Sequence, residues 1–170
     1  MTLYQLEVKL GLARFAFPAA AGWRVSMHVD PMETGRGGKQ SRGKIKRAEA
    51  AMDELEKLGV KLGTHKLFGP IDVVAEADRE TCFVEVEGES TRQKEQALYS
   101  AIGQLMLSMK LWSDDVKYGI AVPDTREWWN QLRKIPLELT TRLRLWRYSV
   151  GVNSCTSIEP GVGIPDWERG

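Results

Sequence analysis

Pro70-Ile71-Asp72-Val73-Val74-Ala75-Glu76-Ala77-Asp78-Arg79-Glu80-Thr81-Cys82-Phe83-Val84-Glu85-Val86-Glu87 is the stretch that decides the fold of this chain. Side chains alternate across a β-strand, and Ile71–Glu76 and Cys82–Glu87 both have that alternation. A tight turn at Asp78-Arg79 makes them a hairpin. In that hairpin Asp72 falls opposite Glu85, with Val74 and Phe83 beside them, while Ile71, Val73, Ala75, Cys82, Val84 and Val86 cover the other face as a core face. A slip of one residue would bring carboxylates and apolar side chains onto the same side, which the hydrophobic pattern resists. Glu87 follows Glu85 on the same face. Carboxylates gathered at strand ends repel one another unless a cation or a proton holds them, so the three acids suggest a hard-metal site. The alternative for the same residues is a solvated acidic hairpin edge.

Outward from the hairpin the pattern alternates between helix and strand. Leu3, Leu6, Leu10, Ala13 and Phe17 recur at spacings of three and four, predicting an amphipathic helix from Leu3 to about Ala20 that Pro18 and Gly22 close. Arg24–Val29 alternates as a strand with Val25, Met27 and Val29 on one side. Helix formers from Lys44 to Leu58 predict a second, mostly solvent-facing helix stopped by Gly59. After the hairpin, Ser90-Thr91-Arg92-Gln93 reads as a capping box that starts the longest helix, to about Met109, with its apolar stripe at Leu98, Ala101, Ile102, Leu105, Met106 and Met109. Tyr118–Val122 is almost wholly apolar and predicts a parallel strand buried on both faces. Thr125–Ile135 reads as an exposed helix and Arg144–Val150 as the final strand. The fold class that follows is α/β, a mixed central sheet flanked by helices in the order α-β-(α)-β-β-α-β and then α-β. One domain over residues 1–152 is expected, with 153–170 as an extended tail.

Composition narrows the function classes. With 170 residues and 42% hydrophobic content, the chain can bury one sizeable core. It contains no run of the roughly 20 apolar residues that a membrane span needs and no secretory zones at its start, so a soluble, cytoplasmic protein with no membrane partner is expected. Cys82 and Cys155 form neither a disulfide framework nor a metal-ligand spacing. The net charge of +1 gives no general attraction to nucleic acid, yet six basic residues stand between Gly35 and Arg47. Arg36, Lys39, Arg42 and Lys44 in that glycine-rich segment are candidate phosphate contacts, against the alternative of a solvated loop. His28 and His65 fall on no motif. Trp128, Trp129 and Trp146 are candidates for core packing, base stacking or a dimer interface.

The order helix, strand, hairpin, helix, strand, with an acid on one hairpin strand and an acid-x-acid triplet ending the next, resembles the PD-(D/E)XK nuclease superfamily over residues 1–123. Pro70-Ile71-Asp72 is similar to the first acidic motif and Glu85 to the second acid, whereas Glu87 stands where the family usually has lysine. The resemblance implies a restriction-endonuclease-like core and metal-dependent phosphodiester hydrolysis, expected on DNA. It implies Mg²⁺ or Mn²⁺ held by Asp72, Glu85 and the Val86 carbonyl. It also implies a catalytic role for Glu87, with Lys94 as a substitute for the missing lysine and Gln93 or Gln96 as helix-borne polar groups near Tyr99 and Gln104. Glu7 resembles the helix-borne acid of some members, with a surface helix charge as the alternative. Arg142, Arg144 and Arg147 are further candidates for contacts to a nucleic-acid backbone, and dimerisation in many such nucleases implies a homodimer. Two other functions remain open: a catalytically inactive module of this fold that binds nucleic acid or a protein, and a sensor of a nucleotide ligand.

Overall fold

The computed structural model describes residues 2–34, 42–89 and 93–166. Along them run α1 (Gln5–Gly11), β1 (Arg24–Met27), α2 (Arg42–Lys57), β2 (Lys61–Leu62), β3 (Val73–Ala77), β4 (Glu80–Val86), α3 (Lys94–Ser108), β5 (Val116–Pro123), α4 (Arg126–Arg133), α5 (Leu137–Arg142), β6 (Leu145–Val150) and β7 (Cys155–Ile158). The strands form one mixed sheet in the order β2-β1-β3-β4-β5-β6-β7. β3 is antiparallel to both of its neighbours, β1 and β4, β5 is parallel to both β4 and β6, and β7 returns antiparallel to β6. Among the described residues no helix is long and apolar enough to cross a membrane.

The hairpin has the expected turn at Asp78-Arg79, and pairing of Val73 with Val84 and Val74 with Phe83 sets the expected register. Continued by one residue, that register places Asp72 opposite Glu85. Both faces of the hairpin are buried, however. α1, the turn that follows it and α2 cover Val73, Ala75, Cys82, Val84 and Val86 with Leu6, Val8, Leu12, Ala48, Ala51 and Leu55. α3 and α4 cover Val74 and Phe83 with Ala97, Leu98, Ala101, Leu105, Trp128 and Leu132, and Ile71 joins this second core instead of the first. A sheet covered by helices on both sides leaves only strand ends open to chemistry.

Several elements depart from the sequence pattern for local reasons. The first helix is not continuous to Ala20: α1 passes into a π-helical turn over Leu12–Ala16, with Phe17 N–H donating to the Leu12 carbonyl at 2.8 Å. α2 is mostly solvent-facing, as expected, and rests on the sheet through a narrow buried stripe of Ala48, Ala51 and Leu55. α3 begins at Lys94 with Gln93 itself at the N-cap, so Gln93 does not fill the third position of a capping box; Ser90, Thr91 and Arg92 lie outside the described residues. α4 is not an exposed helix. Thr125 caps it by accepting from Trp128 N–H, and Trp128 and Trp129 are buried. α5 has no expected counterpart, and β6 is not the last strand, since Cys155–Ile158 pairs with it.

Candidate functional site

Three strand ends meet beside α1. The His28 N–H, just past β1, donates to the Asp72 carbonyl at 3.1 Å, which prolongs the β1–β3 ladder by one rung. Asp72 therefore sits at the mouth of the sheet, next to the end of β4. Its Oδ2 accepts the Val86 N–H at 2.9 Å, and Gln5 Nε2 of α1 reaches its two oxygens at 3.3 and 3.4 Å. Its Oδ1 lies 2.8 Å from Lys9 Nζ. The same ammonium donates to Glu33 at 2.8 and 2.9 Å and to the His28 carbonyl at 2.5 Å. Lys9 is wholly buried, and the Glu33 and Asp72 side chains are 2% and 13% exposed.

Close approach of α1 makes this contact possible. Gly88, two residues beyond β4, lies under the start of the helix, where a Cβ would stand 2.2 Å from Gln5 N and 2.6 Å from the Tyr4 carbonyl carbon. The helix start is itself fixed by Glu7, whose Oε2 accepts the Tyr4 N–H at 2.8 Å while Arg47 of α2 donates to both carboxylate oxygens at 2.5 and 2.8 Å. Glu7 thus caps α1 and ties it to α2.

The electrostatics follow from four carboxylates and one ammonium near one another. Burial pushes the Glu85 carboxyl up to about 9, and the charge of Asp72, a hydrogen bond with Asp72 and the charge of Glu87 act in the same direction against Lys9. Glu85 therefore carries a proton at neutral pH. Burial likewise pushes Glu33 up to about 7, with the charge of Asp72 acting in the same direction and Lys9 against it. For Lys9, burial favours the neutral amine, but Asp72 and Glu33 outweigh it and hold the ammonium. One lysine cannot balance this many buried carboxylates, so the cluster keeps protons instead.

The structure brings Asp72, Glu85 and Glu87 to one end of the sheet and adds Lys9 and Glu33, which sequence reasoning missed. Glu87 is half-buried, directly after β4, with its N–H donating to the Ala121 carbonyl at 2.9 Å. Lys94 is directed elsewhere: it pairs with Glu127 at 2.9 Å and Glu89 at 3.5 Å and lies over the Trp128 ring. Gln93 and Gln96 are exposed, and the Tyr99 hydroxyl donates to Glu95. Arg42 and Lys44 stand in the first turn of α2, where Lys44 Nζ lies 5.5 Å from the Tyr4 ring centre. Arg36 and Lys39 lie outside the described residues.

No family model and no curated protein matches this chain.

Among the remaining basic candidates, Arg147 is corrected outright. It is 1% exposed and donates to the carbonyls of Glu159 and Val162, so it cannot meet a nucleic-acid backbone. Arg142 and Arg144 are exposed and paired with Glu138 and Asp114. His28 Nδ1 meets the Thr64 hydroxyl and His65 stacks on Phe68 beside Glu76, both structural arrangements. Among the described residues no three His, Cys, Asp or Glu side chains are gathered as a ready metal site. The donor chemistry nevertheless suits a hard cation. Asp72 and Glu85 offer only oxygen, each carboxylate has about four lone-pair positions, and Glu85 has a proton to give up on binding.

Proposed function

We propose that this chain is a metal-dependent nuclease that hydrolyses phosphodiester bonds, with DNA the expected polymer, on a restriction-endonuclease-like core. The observation that carries the reading is the opposition of Asp72 and Glu85 at the β3 and β4 ends, with Glu87 two residues on and the Lys9 ammonium on the cluster. The α1-β1-β3-β4-α3-β5 order and the parallel pairing of β5 with β4 support the same core. Asp72 and Glu85 would hold Mg²⁺ or Mn²⁺, which when bound neutralises phosphate charge and lowers the pKa of a coordinated water. Glu85 would release its proton from the carboxyl as the cation arrives, while Lys9 and the Val86 N–H keep Asp72 in place. Glu87 is the group at the strand end that would accept a proton from the attacking water. Arg42 and Lys44, at the start of α2, would meet the polymer's phosphates without reading its sequence.

A second reading has its own support. The ammonium of Lys9 already satisfies Asp72 and Glu33, as expected of a nuclease fold that kept its architecture as a non-catalytic binding module. Incubation of the full chain with supercoiled plasmid and single-stranded DNA in Mg²⁺ or Mn²⁺ separates the two. The nuclease reading expects nicking or cutting that needs the metal and falls at least about 100-fold in Asp72→Ala, in line with the loss of a metal-centred step. Absence of metal-dependent cleavage, with the same background in Asp72→Ala, leaves the binding module.

A further inference from the structure

Lys9 occupies a position that matters for how many cations the cluster can take. An ammonium has three N–H bonds, and Lys9 Nζ has three acceptor groups within 2.5–2.9 Å: the His28 carbonyl, Glu33 and Asp72 Oδ1. None is left for a water or a phosphate, so Lys9 does not replace the motif lysine by touching the reacting groups. It instead holds a positive charge on one oxygen of Asp72. Paired metal ions in phosphoryl-transfer sites stand roughly 3.5–4 Å apart and share a carboxylate between them. On Asp72 the outer half of such a bridge is taken by Lys9, and Glu33, the acid beyond it, is turned onto the same ammonium. The remaining oxygens, Oδ2 of Asp72 and the Glu85 carboxyl, lie toward the end of β4.

We propose that Lys9 is a positioning residue that stands in for a second metal ion, so that the cluster binds one divalent cation, on Asp72 and Glu85, and no more. This rests on reading the cluster as a metal-dependent hydrolase site. It assigns to α1 the control of metal stoichiometry, and to Glu33 the role of anchoring Lys9 instead of ligating a cation.

Counting Mn²⁺ on the full chain tests it, with free Mn²⁺ followed by its electron paramagnetic resonance signal and no nucleic acid present. The expected result is one ion per chain, lost in Asp72→Asn, and two per chain in Lys9→Met, which keeps the side-chain length and removes the charge. Circular dichroism checks that the variants fold. Lys9→Gln, which also removes the charge, is expected to give two and decides the question if Lys9→Met does not fold, while Lys9→Arg retains the cation and is expected to keep the count at one. Two ions in the unaltered chain, two in Lys9→Arg, or one in a folded Lys9→Met or Lys9→Gln overturns the role of Lys9 while leaving the hydrolase reading intact. No ion in the unaltered chain overturns the metal site itself, and the inference with it.

Discussion

Glu85 is where the chemistry of a single residue reaches the stability of the fold. Its carboxyl titrates near 9 in the folded protein against an ordinary 4.5, because it is buried beside Asp72. Below the ordinary value it is protonated in both folded and unfolded chains, and its contribution is fully present. Between that value and about 9 the unfolded chain has lost the proton that the folded chain keeps, so each rise in pH favours unfolding. For one proton the slope is about 1.4 kcal/mol per pH unit. Glu33 adds to the fall only up to about 7. Urea unfolding at about pH 5, 7 and 9 should therefore show stability declining throughout. In Glu85→Gln, which keeps the size and cannot ionise, the decline should flatten between about pH 7 and 9. Equal slopes for the two proteins over that upper window would mean that Glu85 is already ionised at neutral pH. The pair Asp72 and Glu85 was legible in the sequence because strand alternation and a two-residue turn fix which side chains oppose one another. Lys9 was not, since its partners are 24 and 63 residues away. A signal was present nonetheless: Lys9 lies three residues from both Leu6 and Leu12, a lysine in the middle of the buried arc of α1.

At the scale of the element, α1 acts as an arm that delivers Lys9, and its seat on Gly88 sets the reach of that arm. Added bulk there meets backbone, which cannot turn aside as a side chain can. Gly88→Ala should lose about 1–3 kcal/mol, the usual range for forcing a methyl into packed structure. Gly103, inside α3, makes the contrast: a Cβ there meets nothing within 4 Å. Gly103→Ala should gain up to about 1 kcal/mol from helix propensity. Urea midpoints of the two variants against the unaltered chain check both signs, and a Gly88→Ala midpoint at or above that of the parent would mean that α1 is not seated there. The extent of α1 and the burial of α4 were poorly legible for related reasons. Periodicity reports which residues face a core and is indifferent to an extra residue in a π-helical turn, so Leu3 to about Ala20 read as one helix. Trp128 and Trp129 read as exposed because α4 has few apolar residues around them, while the sheet supplies the burial: Trp129 Nε1 donates to Asp124, at the end of β5.

Across the whole molecule, the core is closed by a segment that composition marks as a tail. Residues after Gly151 are rich in glycine and proline, which conceals the four-residue strand Cys155–Ile158. That strand pairs along the edge of β6, and the chain following it reaches Arg147 of β6, where the Glu159 and Val162 carbonyls accept from the guanidinium at 2.8 and 2.5 Å. Gly161 N–H also donates to the Thr140 hydroxyl of α5 at 3.0 Å, so the segment joins α5 to the sheet edge. A chain cut after residue 152 would uncover β6, free α5 and strip Arg147 of both acceptors while leaving its side chain against the core. Removing the partners of a buried charge typically destabilises by about 3–5 kcal/mol, a large part of the roughly 5–15 kcal/mol that holds a domain of ordinary stability together. The truncated chain is thus expected to unfold at a much lower urea concentration than the full chain, and Arg147→Met in the truncated chain to recover part of the difference. Equal midpoints for the full and truncated chains would return these residues to the status of a tail, and no recovery with Arg147→Met would assign the loss to the strand pairing of β7 alone.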